Sequence, residues 1–336
     1  MSGYCDSMKK YGSLLVLGML MAGGALVMLG EKSKGRVGLD AVMEVATDAS
    51  HDLDRVGFGL TRVSDAEEME LGREIAMHSS GWWGSANSDL DSYVKSLGRI
   101  LAMRVRRTGI TYSFHVLDSP DVNAFALPGG QIFILRGLVE FAGSESELAM
   151  IIGHEIAHVD LRHCIELFQH ELLIKKIAGS SPTNLIGGMR YLLVKGLGTM
   201  ALLVHRIITQ GYRQFQEFDA DAQGWSYATA AGYDPEAAVR IMAKLSDRFG
   251  NLEQQPVSNR SPIGEIAGVI VSAPGSYLRS HPPTIDRIKA FKKILEDRQS
   301  DLTGRSFYVG AENLKKLRTR RQLPLPAEER PFSGNR

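Results

Sequence analysis

Cysteine is scarce in this chain, with two residues, Cys5 and Cys164, among 336. Cys5 stands before an apolar run and Cys164 lies inside a helical pattern, so the two are not read as a disulfide pair and cysteine usage leaves the redox compartment open. Neither sign of charge is in excess. The formal net charge is +1, which excludes an electrostatic footprint for nucleic acid in the total. No internal repeat is visible, which excludes a repeat array. Long apolar runs free of charge are also rare, and the clear one spans residues 11–30.

That run follows Lys9 and Lys10 and precedes Lys32, Lys34 and Arg36. Twenty residues of helix rise roughly 30 Å, about the thickness of a bilayer core. It reads as a signal anchor or as a cleaved export signal. The apolar stretch Leu26–Leu29 continues past the small residues where cleavage would fall, which favours an anchor. The expected organisation is residues 1–35 as signal anchor or signal peptide, 36–63 as linker, 64–298 as the principal domain and 299–336 as a basic, proline-containing mobile tail.

Within 64–298 the hydrophobic period changes several times. Ser64 with Glu67 is a capping-box pattern opening a helix, and residues 90–107 carry apolar positions at helical spacing. "ITYSFHVL" alternates in strand fashion. "DVNAFALPGGQIFILRG" reads as two strands about Leu127-Pro128-Gly129-Gly130, where proline followed by glycine suits a type II turn. Ser144 and Glu147 form a second capping-box pattern before a long helix through residues 148–179. Residues 183–210 read as amphipathic packing helices, with a second membrane span as the lesser alternative. Further helices are expected over residues 210–232, ending at Gly232, from Asp234 with Pro235 at its first position, and from Thr284. Residues 250–276 read as a loop.

The stretch "GHEIAHV" carries the chemistry. Positions i and i+4 share a helix face, so His154 and His158 can offer ring nitrogens to one ion, while Glu155 is turned to reach a water beside it. A catalytic zinc needs a third protein ligand and an open position. Glu217 is a candidate, and Asp221, one turn later on the same face, is placed to orient a ligand histidine. Spacing alone does not separate Glu217 from other acids. Asp219 points elsewhere. His163 falls five residues after His158, off the ligand face, and a structural or solvated role is expected for it, as for His51, His78, His115, His170 and His205. Trp82 and Trp83 read as packing residues.

Four motifs, "VNAFALPGGQIFILRGL", "SESELAMIIGHEIAHVDLRH", "EFDADAQGWSYATAAGYDP" and "SHPPTIDRI", occur in an order that resembles the zinc metallopeptidase family that includes HtpX, BepA, the OMA-type mitochondrial proteases and the CAAX prenyl proteases, with most likeness to the BepA- and OMA-like members that carry a single anchor. The resemblance covers roughly residues 65–295. It implies an α+β, gluzincin-type fold, mainly helical with a small β-sheet beside the H-E-x-x-H helix. It makes Glu217 the third ligand of one zinc per chain, Asp221 a support, and the Asn123-Ala124 strand a border of the cleft that pairs with extended substrate. His281 becomes an oxyanion donor or a fourth ligand at rest. The family commonly has Ser-Arg three to four residues before the third ligand. Here Arg213 is shifted by one, and no transition-state role is assigned to it.

The implied activity is a zinc endopeptidase with Glu155 and His281 as catalytic residues. It would act on extended or unfolded protein segments in membrane or envelope quality control. The N-terminal segment would anchor it in a bacterial inner membrane facing the periplasm, or, if cleaved, release it there. A prenyl-peptide protease would need a chamber of several spans, and one clear span argues against it. A chaperone-like or assembly factor on the same fold, largely without proteolysis, is the main alternative. A metal-free helical interaction protein would leave the four motifs as coincidence. Substrate identity and oligomeric state are not legible.

Overall fold

The computed structural model describes residues 63–79, 87–166, 169, 211–249, 281, 285–319 and 329–332. The N-terminal segment, the linker up to residue 62, the expected helices at 183–210, the loop at 250–276, and Cys5, Trp82, Trp83, His51, His170 and His205 lie outside them, as does the His78 side chain. No helix among the described residues is long and apolar enough to cross a membrane.

Helix α1, Asp65–Ser79, starts as expected. The Glu67 amide donates to Ser64 Oγ at 3.3 Å, and the Ser64 amide donates to Glu67 Oε2 at 2.8 Å. Helix α2, Ser88–Ala102, is capped by Asn87, whose side chain accepts from the Asp89 amide, and buries Leu90, Tyr93, Val94, Leu97 and Leu101 along one stripe. Three strands follow: β1 Ser113–Leu117, β2 Ala124–Leu127 and β3 Gln131–Leu135. Their order is β1-β3-β2, with β1 parallel and β2 antiparallel to β3. The turn joining β2 to β3 holds Gly129 at φ +74°, as a Pro-Gly turn requires. An added Cβ at Gly129 would also lie 2.5 Å from the Glu68 carbonyl oxygen on α1. The buried Glu68 carboxylate accepts from the Gly129 amide at 3.3 Å and from Arg107 at 2.7 Å, locking α1 onto this turn.

A short helix α3, Arg136–Phe141, leads to α4, Glu145–Asp160, in which every residue is buried. A helix covered all round must satisfy its polar groups inside the protein. Ser144 Oγ accepts from the Glu147 amide, completing one half of the expected capping box. The other half is redirected, because the Glu147 carboxylate accepts from the Gly143 amide and from Lys244 instead. Glu145, at the positive end of the helix, accepts from the hydroxyls of Tyr93 at 3.1 Å and Tyr233 at 2.8 Å.

The helix read through residue 179 is not continuous. It ends at Asp160, and Arg162 adopts φ +68° before residues 163–166 turn helical again. The Arg162 guanidinium holds this left-handed turn in place by donating to the Val63 carbonyl at 2.6 Å and to Asp65 at 3.1 Å.

Helix α5, Gln214–Ala230, crosses α4 at a pair of glycines. A Cβ on Gly153 would sit 2.8 Å from the Gly224 carbonyl oxygen, and one on Gly224 would sit 2.5 Å from the His154 amide nitrogen. Backbone therefore touches backbone, closer than side-chain-mediated helix packing allows. Helices α6, Ala237–Phe249, and α7, Ile285–Asp297, complete the body. The result is a mainly helical α+β fold with a small mixed sheet beside α4.

Residues 299–319, expected as part of a mobile tail, are folded. Helix α8 is Gln299–Leu302, strand β4 is Ser306–Tyr308 paired with β5, Glu329–Pro331, and helix α9 is Ala311–Lys315. Leu302, Phe307, Tyr308 and Leu314 are buried. The carbonyls of Gly310 and Val309 accept from the amides of Glu145 and Ser146 at 3.1 and 3.0 Å. These are first-turn N–H groups of α4 that the helix itself cannot pair. The apolar residues of this segment are few and scattered among basic ones, so no periodic signal marks it.

Candidate metal centre

The crossing of α4 and α5 brings together side chains far apart in sequence. His154 Nε2 and His158 Nε2 are 3.0 Å apart, one turn from each other on α4. Glu217, in the first turn of α5, places Oε1 at 3.4 Å from His158 Nε2 and Oε2 at 3.5 Å from His154 Nε2. His281 adds Nδ1 at 3.2 Å from His154 Nε2 and 2.9 Å from Glu217 Oε1. One donor atom from each of these four buried residues lies within 4.8 Å of all the others. Tetrahedral bonds of about 2.0–2.1 Å imply donor separations of about 3.3–3.4 Å. The contacts above, which draw on both Glu217 oxygens, run from 2.9 to 3.5 Å, around that edge. Nitrogen and carboxylate donors in this number suit zinc.

Glu155 lies next to this group and is fully buried. Among the described residues neither of its carboxylate oxygens has a hydrogen-bond partner. An orphaned buried carboxylate carries a desolvation cost. A metal-bound water beside the four donors would relieve it, so the residues present fit a metal. Its Oε1 is 3.5 Å from His281 Nε2. Burial raises the Glu155 carboxyl above its ordinary value.

Three groups pack against the donors. Asp221 Oδ1 lies 2.9 Å from His154 Nδ1, an ion-pair contact too poorly aligned for a hydrogen bond. Burial would lower the His154 pKa, but Asp221 and Glu217 outweigh it and lift it to about 9. His163 was not expected here. Its Nδ1 is 3.0 Å from His158 Nδ1, and burial lowers its pKa to about 4. The break at Arg162 swings the chain back over α4, and an unbroken helix would have carried His163 away.

Arg287, on α7 and 1% exposed, was missed entirely by the sequence. It donates from Nε and Nη2 to the two oxygens of Asp221 at 2.7 and 2.6 Å. Its Nη1 lies 2.9 Å from Glu217 Oε2, close but too poorly aligned for a hydrogen bond. Burial opposes the charge on both acids. His281 and Arg287 nonetheless hold Glu217 well below the usual carboxylate range, and Arg287 lowers Asp221 below its ordinary value. The sequence did carry a signal: Arg287 and Phe291 are one turn apart on the buried stripe of α7, where a charge needs a partner.

The remaining expectations divide. Asp219 is exposed. His115 plays a structural part, bonded to Gln131 at 2.8 Å and stacked on Phe133. Asn123 and Ala124 sit at the start of edge strand β2, yet both are fully buried rather than open to solvent. Neither polar atom of the Asn123 amide finds a partner among the described residues. Tyr212, just before α5, stacks on His158 with ring centroids 3.7 Å apart and an interplanar angle of 16°.

The sequence pattern of peptidase family M48 matches residues 88–295. The beta-barrel assembly-enhancing protease of Escherichia coli (strain K12) is 26% identical over 211 residues, covering 60% of this chain and 40% of that protein. The mitochondrial metalloendopeptidase OMA1 of Arabidopsis thaliana is 29% identical over 181 residues, 54% of this chain and 31% of that protein. Identity rises to 47% over 57 residues with the mitochondrial metalloendopeptidase OMA1 of Bos taurus, which spans 17% of this chain and 11% of that protein. The chain thus spans less than half the length of these curated relatives. With the family pattern running through α4, α5 and α7, and so through every residue of the donor cluster, the chain belongs to peptidase family M48.

Proposed function

We propose that this chain is a zinc-dependent endopeptidase that hydrolyses extended or unfolded protein segments. The observation that carries the reading is the convergence of His154, His158 and Glu217 beside the Glu155 carboxylate, which has no hydrogen-bond partner among the described residues. His154, His158 and Glu217 would hold a zinc ion, which when bound would supply Lewis acidity and lower the pKa of a water toward about 7. Glu155 takes a proton from the attacking water at a carboxylate oxygen and passes it to the nitrogen of the leaving amine. Its raised pKa brings the carboxylate nearer the working pH, where such a shuttle is most effective. Asp221 keeps His154 oriented, His163 does so for His158, and Arg287 restrains Glu217. His281 supports two roles: a fourth ligand at rest, or a donor to the oxyanion of the tetrahedral intermediate. Strand β2, preceded by Asn123 and starting at Ala124, is buried, and its outward backbone groups would pair with an extended substrate once uncovered.

Substrates in membrane or envelope quality control fit the names of the relatives, one concerned with beta-barrel assembly and the others mitochondrial. The apolar residues 11–30 would anchor the chain in a bacterial inner membrane facing the periplasm, or direct its export.

The test is casein cleavage by the full chain beside Glu155→Gln, with zinc content measured for both. Cleavage by wild type, a loss of about 10²–10⁴-fold in Glu155→Gln and one zinc in each would support the reading. A folded wild type that takes up no added zinc would sink it. Zinc in both proteins with no cleavage by either would favour a chaperone-like binding role instead.

A further inference from the structure

The Leu135 amide donates to the Asn123 carbonyl at 3.0 Å, which fixes the phase of the β2–β3 ladder. Antiparallel pairing alternates, so Phe125 and Leu127 bond inward to β3 while Ala124 and Ala126 turn their N–H and C=O groups outward. Because β2 is one edge of the sheet among the described residues, these are the groups that an added peptide strand would meet. The outward carbonyl of Ala126 is already covered. Tyr212 Oη lies 3.5 Å from it and Cys164 Sγ 3.6 Å, while Oη and Sγ are 3.1 Å apart. The same tyrosine ring stacks on His158 and stands 5.8 Å, centroid to centroid, from His281. One buried side chain therefore bridges the donor cluster and the edge acceptor two residues beyond Ala124.

Resting on the endopeptidase reading above, we propose that Tyr212 is a specificity-determining residue of this site: its hydroxyl holds the Ala126 carbonyl in reserve, and its ring, stacked on His158, stands between that carbonyl and the donor cluster. The contact to Ala126 is long and the thiol is a weak partner, so a well-aligned backbone N–H of an extended chain displaces the hydroxyl. A folded or helical segment, whose N–H groups are already paired, does not. The device selects substrate by backbone availability rather than by side chain.

The test measures binding apart from cleavage. Full-length Glu155→Gln, loaded with zinc, is titrated into fluorescein-labelled β-casein by anisotropy, alone and with Tyr212→Phe or Tyr212→Ala added. Tyr212→Phe keeps the stacked ring and leaves the Ala126 carbonyl covered by the weakly donating Cys164 thiol in place of the hydroxyl, and binding should tighten about three- to ten-fold, the scale of one modest hydrogen bond. Tyr212→Ala should tighten it further and also admit a labelled helical peptide that wild type excludes. Unchanged or weaker binding in Tyr212→Phe, with an unaltered melting curve, overturns the proposal, and this variant decides alone if Tyr212→Ala does not fold. Failure of wild type to cleave casein would count against the endopeptidase reading, while the anisotropy result still judges Tyr212.

Discussion

At the scale of single residues, the donor cluster depends on a charge that never meets solvent. Arg287 sits against two carboxylates, Glu217 and Asp221, and removing it would leave both buried and poorly paired. Breaking such a network costs about 3–5 kcal/mol, and loss of outer support weakens metal binding about 10–100-fold. Arg287→Gln should therefore lower the urea midpoint of the metal-free chain and weaken zinc binding in chelator competition. Arg287→Lys keeps the charge but loses the planar fork, and should fall between the two. Unchanged zinc affinity in both variants would remove Arg287 from the site. Helical phase made legible that His154, Glu155 and His158 would share one stretch of helix and Glu217 and Asp221 another, whereas the choice of Glu217 over other acids came from the family resemblance and not from spacing. Arg287 and His163 were not legible, for different reasons. One acts across a tertiary contact that leaves a single misplaced charge as its trace. The other depends on an arginine adopting a left-handed conformation, which no local preference announces.

At the scale of elements, helix starts and strand periods could be read because capping chemistry and side-chain alternation are local. Ser64, Ser144 and the Pro-Gly turn all behave as their residue types dictate. The stop at Asp160 is set by Val63 and Asp65 holding Arg162, contacts nearly a hundred residues away in sequence. The crossing of α4 and α5 was likewise invisible until the two glycines were seen to touch. Gly224→Ala puts a methyl 2.5 Å from the His154 amide, a backbone atom that cannot swing aside. Helix α5 must then lift away from α4, at a cost of about 1–3 kcal/mol. Glu217 would retreat with it, so zinc affinity should fall along with stability. A Gly224→Ala protein that matches wild type in both urea unfolding and chelator competition would show that the close crossing is not what gathers the ligands.

At the scale of the whole molecule, the C-terminal segment is part of the body that holds the site. A chain ending at Arg298 loses the carbonyls that pair the first amides of α4, together with the apolar cover of Leu302 and Phe307. Burial of each such side chain is worth about 1.5–3 kcal/mol, and unpaired buried amides add about 1–3 kcal/mol each. The truncated protein should unfold at a markedly lower urea midpoint and lose near-ultraviolet dichroism, whereas an unchanged midpoint would return residues 299–319 to the status of a tail. The order in which these parts leave the ribosome then matters. A nascent chain emerges with His154, Glu155 and His158 long before Glu217, His281 and Arg287. Val309 and Gly310, which steady the start of the helix bearing that trio, come later still. The donor cluster therefore cannot be complete before His281 has been made, and the start of the helix that bears its first two donors gains its backbone partners only after that.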